Sequence, residues 1–382
     1  MILGHTIELK PNNKQATHFK KACGVARFAY NWALAEWKNQ YEADKGYRDD
    51  CLANSIEIDK SKLNSPNQFK LRKQFNTIKK QQFPFMAEVT KCSPQEAIIQ
   101  LGKAFDNFFK GRAKYPQYRK KGVNDRFSLT NDQFKLIGKK IKIPKLGWVR
   151  LKENLRFSGK ILNATVFKKG GKWFVSVGVE IDNIPKLNAK THKSVGLDLG
   201  ITDLAVLSNG EKIKAPKPLK IKLKKLQRLS KSLSRKQKGS NNRAKAKTKL
   251  SRLHYKISCI RKDFLHKLTS KLVSQFDVIC IEDLNVKGMV KNKRLSRAIS
   301  DLGFYELKRQ LIYKANQSGK TVKSVDKFYP SSKTCSCCGF KLESLPLSVR
   351  TWTCQNCNTT HDRDINASVN ILNKADKVLT LS

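Results

Sequence analysis

Ser194-Val195-Gly196-Leu197-Asp198-Leu199-Gly200-Ile201-Thr202 is the stretch on which the fold turns. Along an extended chain Val195, Leu197 and Leu199 share one face and Gly196, Asp198 and Gly200 the other, so a carboxylate projects beside two residues without side chains. That pattern leaves room for a metal ion and a phosphate to approach Asp198. Taken alone, an ordinary turn carboxylate is the default reading of such a residue. Asn209 and Gly210 turn the chain out of a second strand. Further on, Asp277-Val278-Ile279-Cys280-Ile281-Glu282-Asp283-Leu284 holds a run apolar on both faces, as a central strand covered by helices requires. Glu282 closes that strand at its C-terminal end, the rim where ligands of α/β sheets bind. Asp277 and Asp283 read as solvated caps. With a helix, a strand near Val322 to Val325 and a last helix still to come, the alternation predicts an α/β domain.

The third acid lies in Asp362-Arg363-Asp364-Ile365-Asn366-Ala367-Ser368-Val369-Asn370-Ile371-Leu372, where Ile365, Val369 and Leu372 mark a helix face that Asp364 opens. An N-cap is one reading of Asp364. Asp198, Glu282 and Asp364 stand 84 and 82 residues apart in one α/β domain. Clustered acids repel each other unless cations hold them. Oxygen ligands suit Mg²⁺, and two such ions about 4 Å apart support in-line displacement at a phosphodiester.

Between the second and third acids, Cys335-Ser336-Cys337-Cys338 and Cys354-Gln355-Asn356-Cys357 are separated by fifteen residues. Two C-x-x-C pairs at that distance suit a zinc ribbon, with Cys335, Cys338, Cys354 and Cys357 as thiolate ligands of one Zn²⁺. Only Cys335 with Cys338 gives the knuckle spacing, which leaves Cys337 over. His361 is expected to bond a neighbouring carboxylate. Cys23, Cys51, Cys92, Cys259 and Cys280 are scattered singly, the usage of small buried hydrophobes.

Toward the N-terminus, Ile2 to Leu9 alternates like a strand and Pro11-Asn12-Asn13 supplies a turn. From Ala16 to about Trp37, Phe19, Cys23, Ala26, Tyr30, Ala33 and Trp37 keep helical spacing. Ser93-Pro94-Gln95-Glu96 reads as a capping box opening another helix, with Ile98, Leu101, Phe105 and Phe108 on one face. The aromatics Phe28, Tyr30, Trp32, Trp37, Phe105, Phe108 and Phe109 are expected to pack in helix cores rather than stack bases. Beyond Asp125 the period becomes two, over Phe134 to Pro144, Trp148 to Lys152 and Asn163 to Ile181, the last folded back at Lys169-Gly170-Gly171. This predicts an antiparallel sheet, expected as a small barrel. The first strand has no partner of its own and is expected to join this sheet, making the helices an insertion within a β domain.

The whole chain of 382 residues carries 78 Lys and Arg against 30 Asp and Glu, a formal net charge of +48. A field of that size calls for a polyanionic partner, nucleic acid first. The 39% hydrophobic share excludes a disordered basic tail. Residues 211 to 260 hold 18 Lys or Arg and one Glu, while Leu219, Leu223, Leu226, Leu229 and Leu233 keep helical spacing, so one side packs and the others face a polyanion. Met1 to Lys10 has no leader pattern and no apolar run approaches a membrane span, so no membrane partner and a cytoplasmic, nucleoid-associated location in a prokaryote are expected.

The order Gly196-Leu197-Asp198-Leu199-Gly200, Ile281-Glu282-Asp283-Leu284, four-cysteine ribbon, Asp362-Arg363-Asp364-Ile365-Asn366-Ala367 resembles the TnpB proteins encoded by insertion-sequence transposons, compact relatives of type V CRISPR effectors. Tyr115-Pro116-Gln117-Tyr118-Arg119-Lys120-Lys121 also resembles the family's Pro-aromatic-basic junction. The resemblance implies an RNA-guided DNA endonuclease dependent on two Mg²⁺. It implies a wedge β-barrel over 1–13 and 124–190, interrupted by a helical recognition region over 14–123. A RuvC nuclease domain of RNase H type over 191–382 would follow, carrying the zinc ribbon over 332–360. Asp198, Glu282 and Asp364 would be the catalytic acids. Guide RNA from the transposon right end and double-stranded target DNA would be the partners of a monomeric ribonucleoprotein. The rival readings are a transposase catalysing DNA strand transfer, which would use the same acids, and a non-catalytic RNA-guided DNA-binding regulator.

Overall fold

The computed structural model describes residues 1–181 and 193–377, so the expected domain boundary at 190/191 lies outside the described residues. The chain divides into two compact units, Met1–Asn183 and Ile184–Ser382. In the first, strand β1 (Ile2–Lys10) leads into α1 (Asn13–Ala53), α2 (Gln68–Gln82) and α3 (Cys92–Phe109). Strands β2 (Arg126–Thr130), β3 (Lys135–Ile137), β4 (Lys140–Ile143), β5 (Gly147–Leu151), β6 (Lys160–Lys169) and β7 (Lys172–Glu180) follow.

β1 sits mid-sheet, antiparallel to β7 with Ile7 opposite Val175, and to β5 with Leu9 opposite Leu151. The three helices are therefore an insertion between strands of one sheet, ordered β2-β6-β7-β1-β5-β4-β3. Among the described residues no ladder joins β2 to β3, so backbone pairing by itself leaves the sheet open. β6 and β7 form the expected hairpin, with Gly170 and Gly171 at φ +57° and +79°, the left-handed pair that a tight primed turn demands. Sheet and helices bury one continuous core, in which Phe19 of α1 meets Trp173 of β7 edge-on at 5.1 Å.

A capping box is present, but at α1: the Asn12 side chain accepts from the Gln15 amide at 2.9 Å and the Gln15 side chain from the Asn12 amide at 3.0 Å. Ser93 does not cap α3. The Thr90 carbonyl accepts from the Ser93 amide at 3.1 Å, starting the turn earlier and leaving the Ser93 hydroxyl buried within it. Pro94 still falls where a missing amide costs nothing. Aromatic packing follows expectation, with Trp37 stacked on Phe105 at 4.0 Å, except that Phe109 is 71% exposed. Arg119 of the basic junction turns inward, its guanidinium 3.7 Å over the Tyr30 ring, and burial pushes its pKa down to about 10.

The second unit contains β8 (Ser194–Asp198), β9 (Ala205–Leu207), β10 (Lys212–Ile213), α4 (Pro218–Ser234), α5 (Asn241–Gln275), β11 (Val278–Glu282), α6 (Val286–Lys291), α7 (Ser296–Leu302), α8 (Phe304–Gln317), β12 (Thr321–Val325), β13 (Thr351–Thr353), β14 (Thr360–Asp362) and α9 (Arg363–Lys377). The main sheet runs β10-β9-β8-β11-β12, the first three strands antiparallel and β8, β11 and β12 parallel. This strand order is that of an RNase H-type domain. Ile279 and Ile281 enter the core shared with α5 and α8, while Cys280 joins Ile371 and Ala375 of α9. β11 is thus covered on both faces. The basic stretch divides into α4 and α5, whose leucines Leu219 to Leu233 are half-buried. Cys259, expected inside, is exposed on α5. No helix among the described residues is long and apolar enough to cross a membrane.

Candidate active site

Asp198 ends β8 and Glu282 ends the neighbouring parallel β11, one residue past the Leu197–Ile281 register pair. Parallel pairing therefore brings two carboxylates to the same C-terminal edge. α9 supplies the third, and the reason is Gly196. A Cβ there would lie 2.0 Å from the Ser368 carbonyl and 2.9 Å from the Leu372 amide nitrogen of α9. The bare glycine face, which the sequence offers to a metal and phosphate, is filled instead by helix backbone. That close docking carries Asp364, in the first turn of α9, toward Asp198. Gly200 leaves no open space either, since a Cβ would lie 2.9 Å from the Asp203 carbonyl.

The electrostatics record the convergence. Burial first, then the charges of Glu282 and Asp364, push the Asp198 pKa up to about 7. Burial also raises that of Glu282, against a hydrogen bond from the Ser331 hydroxyl to its Oε1 at 2.8 Å. Asp364 pairs with Arg350 at 3.4 Å. It is not the helix cap: Asp362 accepts from the amides of Asp364 and Ile365 at 3.0 and 3.1 Å, and binds Lys212 at 2.6 Å. The Asp364 carboxylate is thereby freed from a structural duty. Asp198 and Glu282, whose ionisation burial opposes, end neighbouring strands, and α9 brings Asp364 toward them.

The neighbouring acids have other work. Asp277, expected as a solvated cap, pairs with buried Lys320 at 3.1 Å, because Lys320 enters the core beside the end of α5. Asp283 is exposed and bonds Lys308 at 2.5 Å.

The Sγ atoms of Cys335, Cys338, Cys354 and Cys357 all lie within 4.8 Å of one another, with Cys335–Cys357 and Cys338–Cys354 at 3.6 Å. A tetrahedral zinc with bonds of about 2.3 Å needs sulfurs about 3.8 Å apart, so the four thiols fit that ion. Cys337 is exposed outside the cluster. Among the described residues His361 bonds no carboxylate: its Nε2 lies 3.0 Å from the Cys335 sulfur, and its ring packs on Trp352 at 4.8 Å. β13 and β14 close the ribbon.

Sequence reasoning passed over the groups that join ribbon to acids. Asn366 and Asn370, four apart on α9 and buried, donate to the Thr334 carbonyl at 2.8 and 2.6 Å, and Asn370 also to the Ser331 carbonyl at 2.8 Å. Two asparagines one helical turn apart on an apolar face were the available signal. Ser331, which reaches Glu282, gave none.

The second unit thus combines an RNase H-type sheet, three acids toward the C-terminal ends of its strands and a four-cysteine ribbon. Family profiles match residues 174–293 ("Probable transposase"), 304–371 ("Cas12f1-like, TNB domain") and 1–46 ("Helix-turn-helix domain"), although 1–46 form β1 and most of one continuous helix here. A Streptomyces pristinaespiralis protein named "Putative RNA-guided DNA endonuclease" is 37% identical over 371 residues, 95% of this chain and 86% of that protein. A TnpB-like protein of Methanocaldococcus jannaschii is 33% identical over 176 residues, 42% of this chain and 62% of that one. The chain belongs to the TnpB family. Its fold is shared with Cas12f1 in a complex with sgRNA and target DNA, at TM-score 0.57 and 14% identity, covering 94% of this chain and 83% of that one.

Proposed function

We propose that the protein is an RNA-guided DNA endonuclease that hydrolyses target DNA to 5′-phosphate and 3′-hydroxyl ends, with Asp198, Glu282 and Asp364 as the catalytic acids of a RuvC domain. What supports this reading is Gly196, whose missing Cβ lets α9 dock on β8 and carry Asp364 toward the sheet edge where Asp198 and Glu282 end their strands. Those carboxylates would hold Mg²⁺, which supplies water activation and stabilisation of the departing oxygen. Ser331 fixes one oxygen of Glu282, and Asp362 takes over the cap of α9 so that Asp364 stays available. The ribbon cysteines would hold one structural Zn²⁺, with His361 orienting Cys335.

The relatives' names and the net charge of +48 support guide RNA and target DNA as partners. In this reading residues 1–13 and 124–190 are the wedge and 14–123 the recognition region. Pairing reads the target while protein contacts hold the backbone. The guide would derive from the transposon right end, in a monomeric ribonucleoprotein working at the nucleoid.

Purified complex carrying its copurified RNA should cut matched DNA only with RNA and Mg²⁺ present. Asp198→Ala should abolish cutting while RNA affinity stays within about twofold, a catalytic ligand being removed without a guide contact. Cutting that persists in Asp198→Ala would overturn the assignment. The profile described as a transposase favours one rival, DNA strand transfer. Joining of donor ends by the purified protein would decide for it.

A further inference from the structure

The loops leaving both acid-bearing strands at their C-terminal ends wall a cavity of about 610 Å³ that the reaction chemistry above does not use. Ile201 stands on the loop after β8. Lys293, Arg294 and Arg297 belong to the α6–α7 segment that follows β11, and Lys217 and Lys220 to the start of α4. The interior is apolar, built from Ile201, Leu223, Ala298 and Leu302. Its size falls in the range of small-ligand pockets, about 300–1,000 Å³.

The rim is cationic without compensation. Among the described residues none of the five Lys and Arg forms an ion pair, and Lys217 has only the Thr202 carbonyl at 3.0 Å. The one acid in the wall, Asp301, is already committed. It accepts from the Leu219 amide at 3.0 Å and the Lys220 amide at 3.0 Å, and pairs with Arg261 at 3.1 Å. Five like charges around an apolar hollow repel one another until an anion enters. An anion with a flat apolar portion satisfies rim and interior together, and an unpaired nucleotide has that chemistry. An acidic protein segment would match the rim but would not fill the interior with a flat ring.

We propose that this cavity holds a nucleotide of the DNA strand being cut, its base in the apolar interior and its phosphates on the cationic rim. The inference rests on the endonuclease reading. DNA rather than RNA is assigned because Ile201 follows Asp198 by three residues and the α6–α7 segment follows Glu282, so the walls are the chain segments leaving the two acid-bearing strands, although none of the three acids lines the cavity itself.

The test uses the full chain with its guide RNA, cutting a matched single-stranded DNA. Lys293→Ala combined with Arg297→Ala should raise the half-saturating DNA concentration about tenfold, the scale of two lost phosphate contacts, with turnover at saturation preserved. The slope of log affinity against log salt should become less negative by about 1.4. Ala298→Trp, which fills the hollow, should raise half-saturation similarly without changing that slope, and melting curves identify any misfolded variant. Unchanged half-saturation in the double variant overturns the proposal, as does loss of guide RNA in step with cutting, which would give the cavity to RNA. If the unsubstituted protein with its guide cuts nothing, the enzyme reading fails instead.

Discussion

At the scale of the residue, Asp198 is tuned by burial and by its two acidic neighbours. Asp198 has a folded-state pKa of about 7 against an ordinary 3.8. A raised value means that this group stabilises the metal-free fold while protonated, below about pH 4, and that the contribution is lost as pH climbs through about 7. In the proposed function Mg²⁺ would bind the ionised form. The gain in Tm on adding Mg²⁺ should therefore be small near pH 5 and large near pH 8. A gain that does not vary with pH would contradict the site. Ser331 donates to Glu282, so Ser331→Ala should leave the fold intact and weaken cutting about 10–100-fold, recoverable in part by higher Mg²⁺.

At the scale of the element, α9 is the part on which the site depends. It reaches β8 because position 196 has no Cβ. Gly196→Ala should cost about 1–3 kcal/mol in urea unfolding, as overpacking does, and should abolish cutting although all three acids remain. Full activity in that variant would refute the account of how Asp364 arrives. The ribbon is a second element with its own integrity: Cys354→Ser should bring zinc below one per chain and expose residues 332–360 to protease. Asn366 and Asn370 tie that ribbon to α9, so its loss should also reach the acids through Ser331.

At the scale of the whole molecule, charge dominates. With +48 on 382 residues, guide binding should weaken steeply with salt, log affinity falling by about 0.7 per log unit of salt for each phosphate neutralised on a single strand. Filter binding across a salt series measures it, and a flat response would remove the polyanion from the account.

Much of this was legible in the chain itself. Hydrophobic period, turn glycines and the two C-x-x-C pairs are local signals, so the strand–helix order, the β6–β7 hairpin and the thiol set could be read from Gly170, Gly171, Cys335, Cys338, Cys354 and Cys357. Long-range proximity was legible only in part, since β1 joining the later strands followed from an unpartnered edge. What tertiary structure alone decided was who occupies each space. Gly196 receives a helix, not a phosphate; Asp362 caps α9, not Asp364; His361 meets a sulfur, not a carboxylate. Sequence spacing fixes which side of its own element a residue faces. It carries no information on which distant backbone will arrive there, because that is settled by packing the whole core at once.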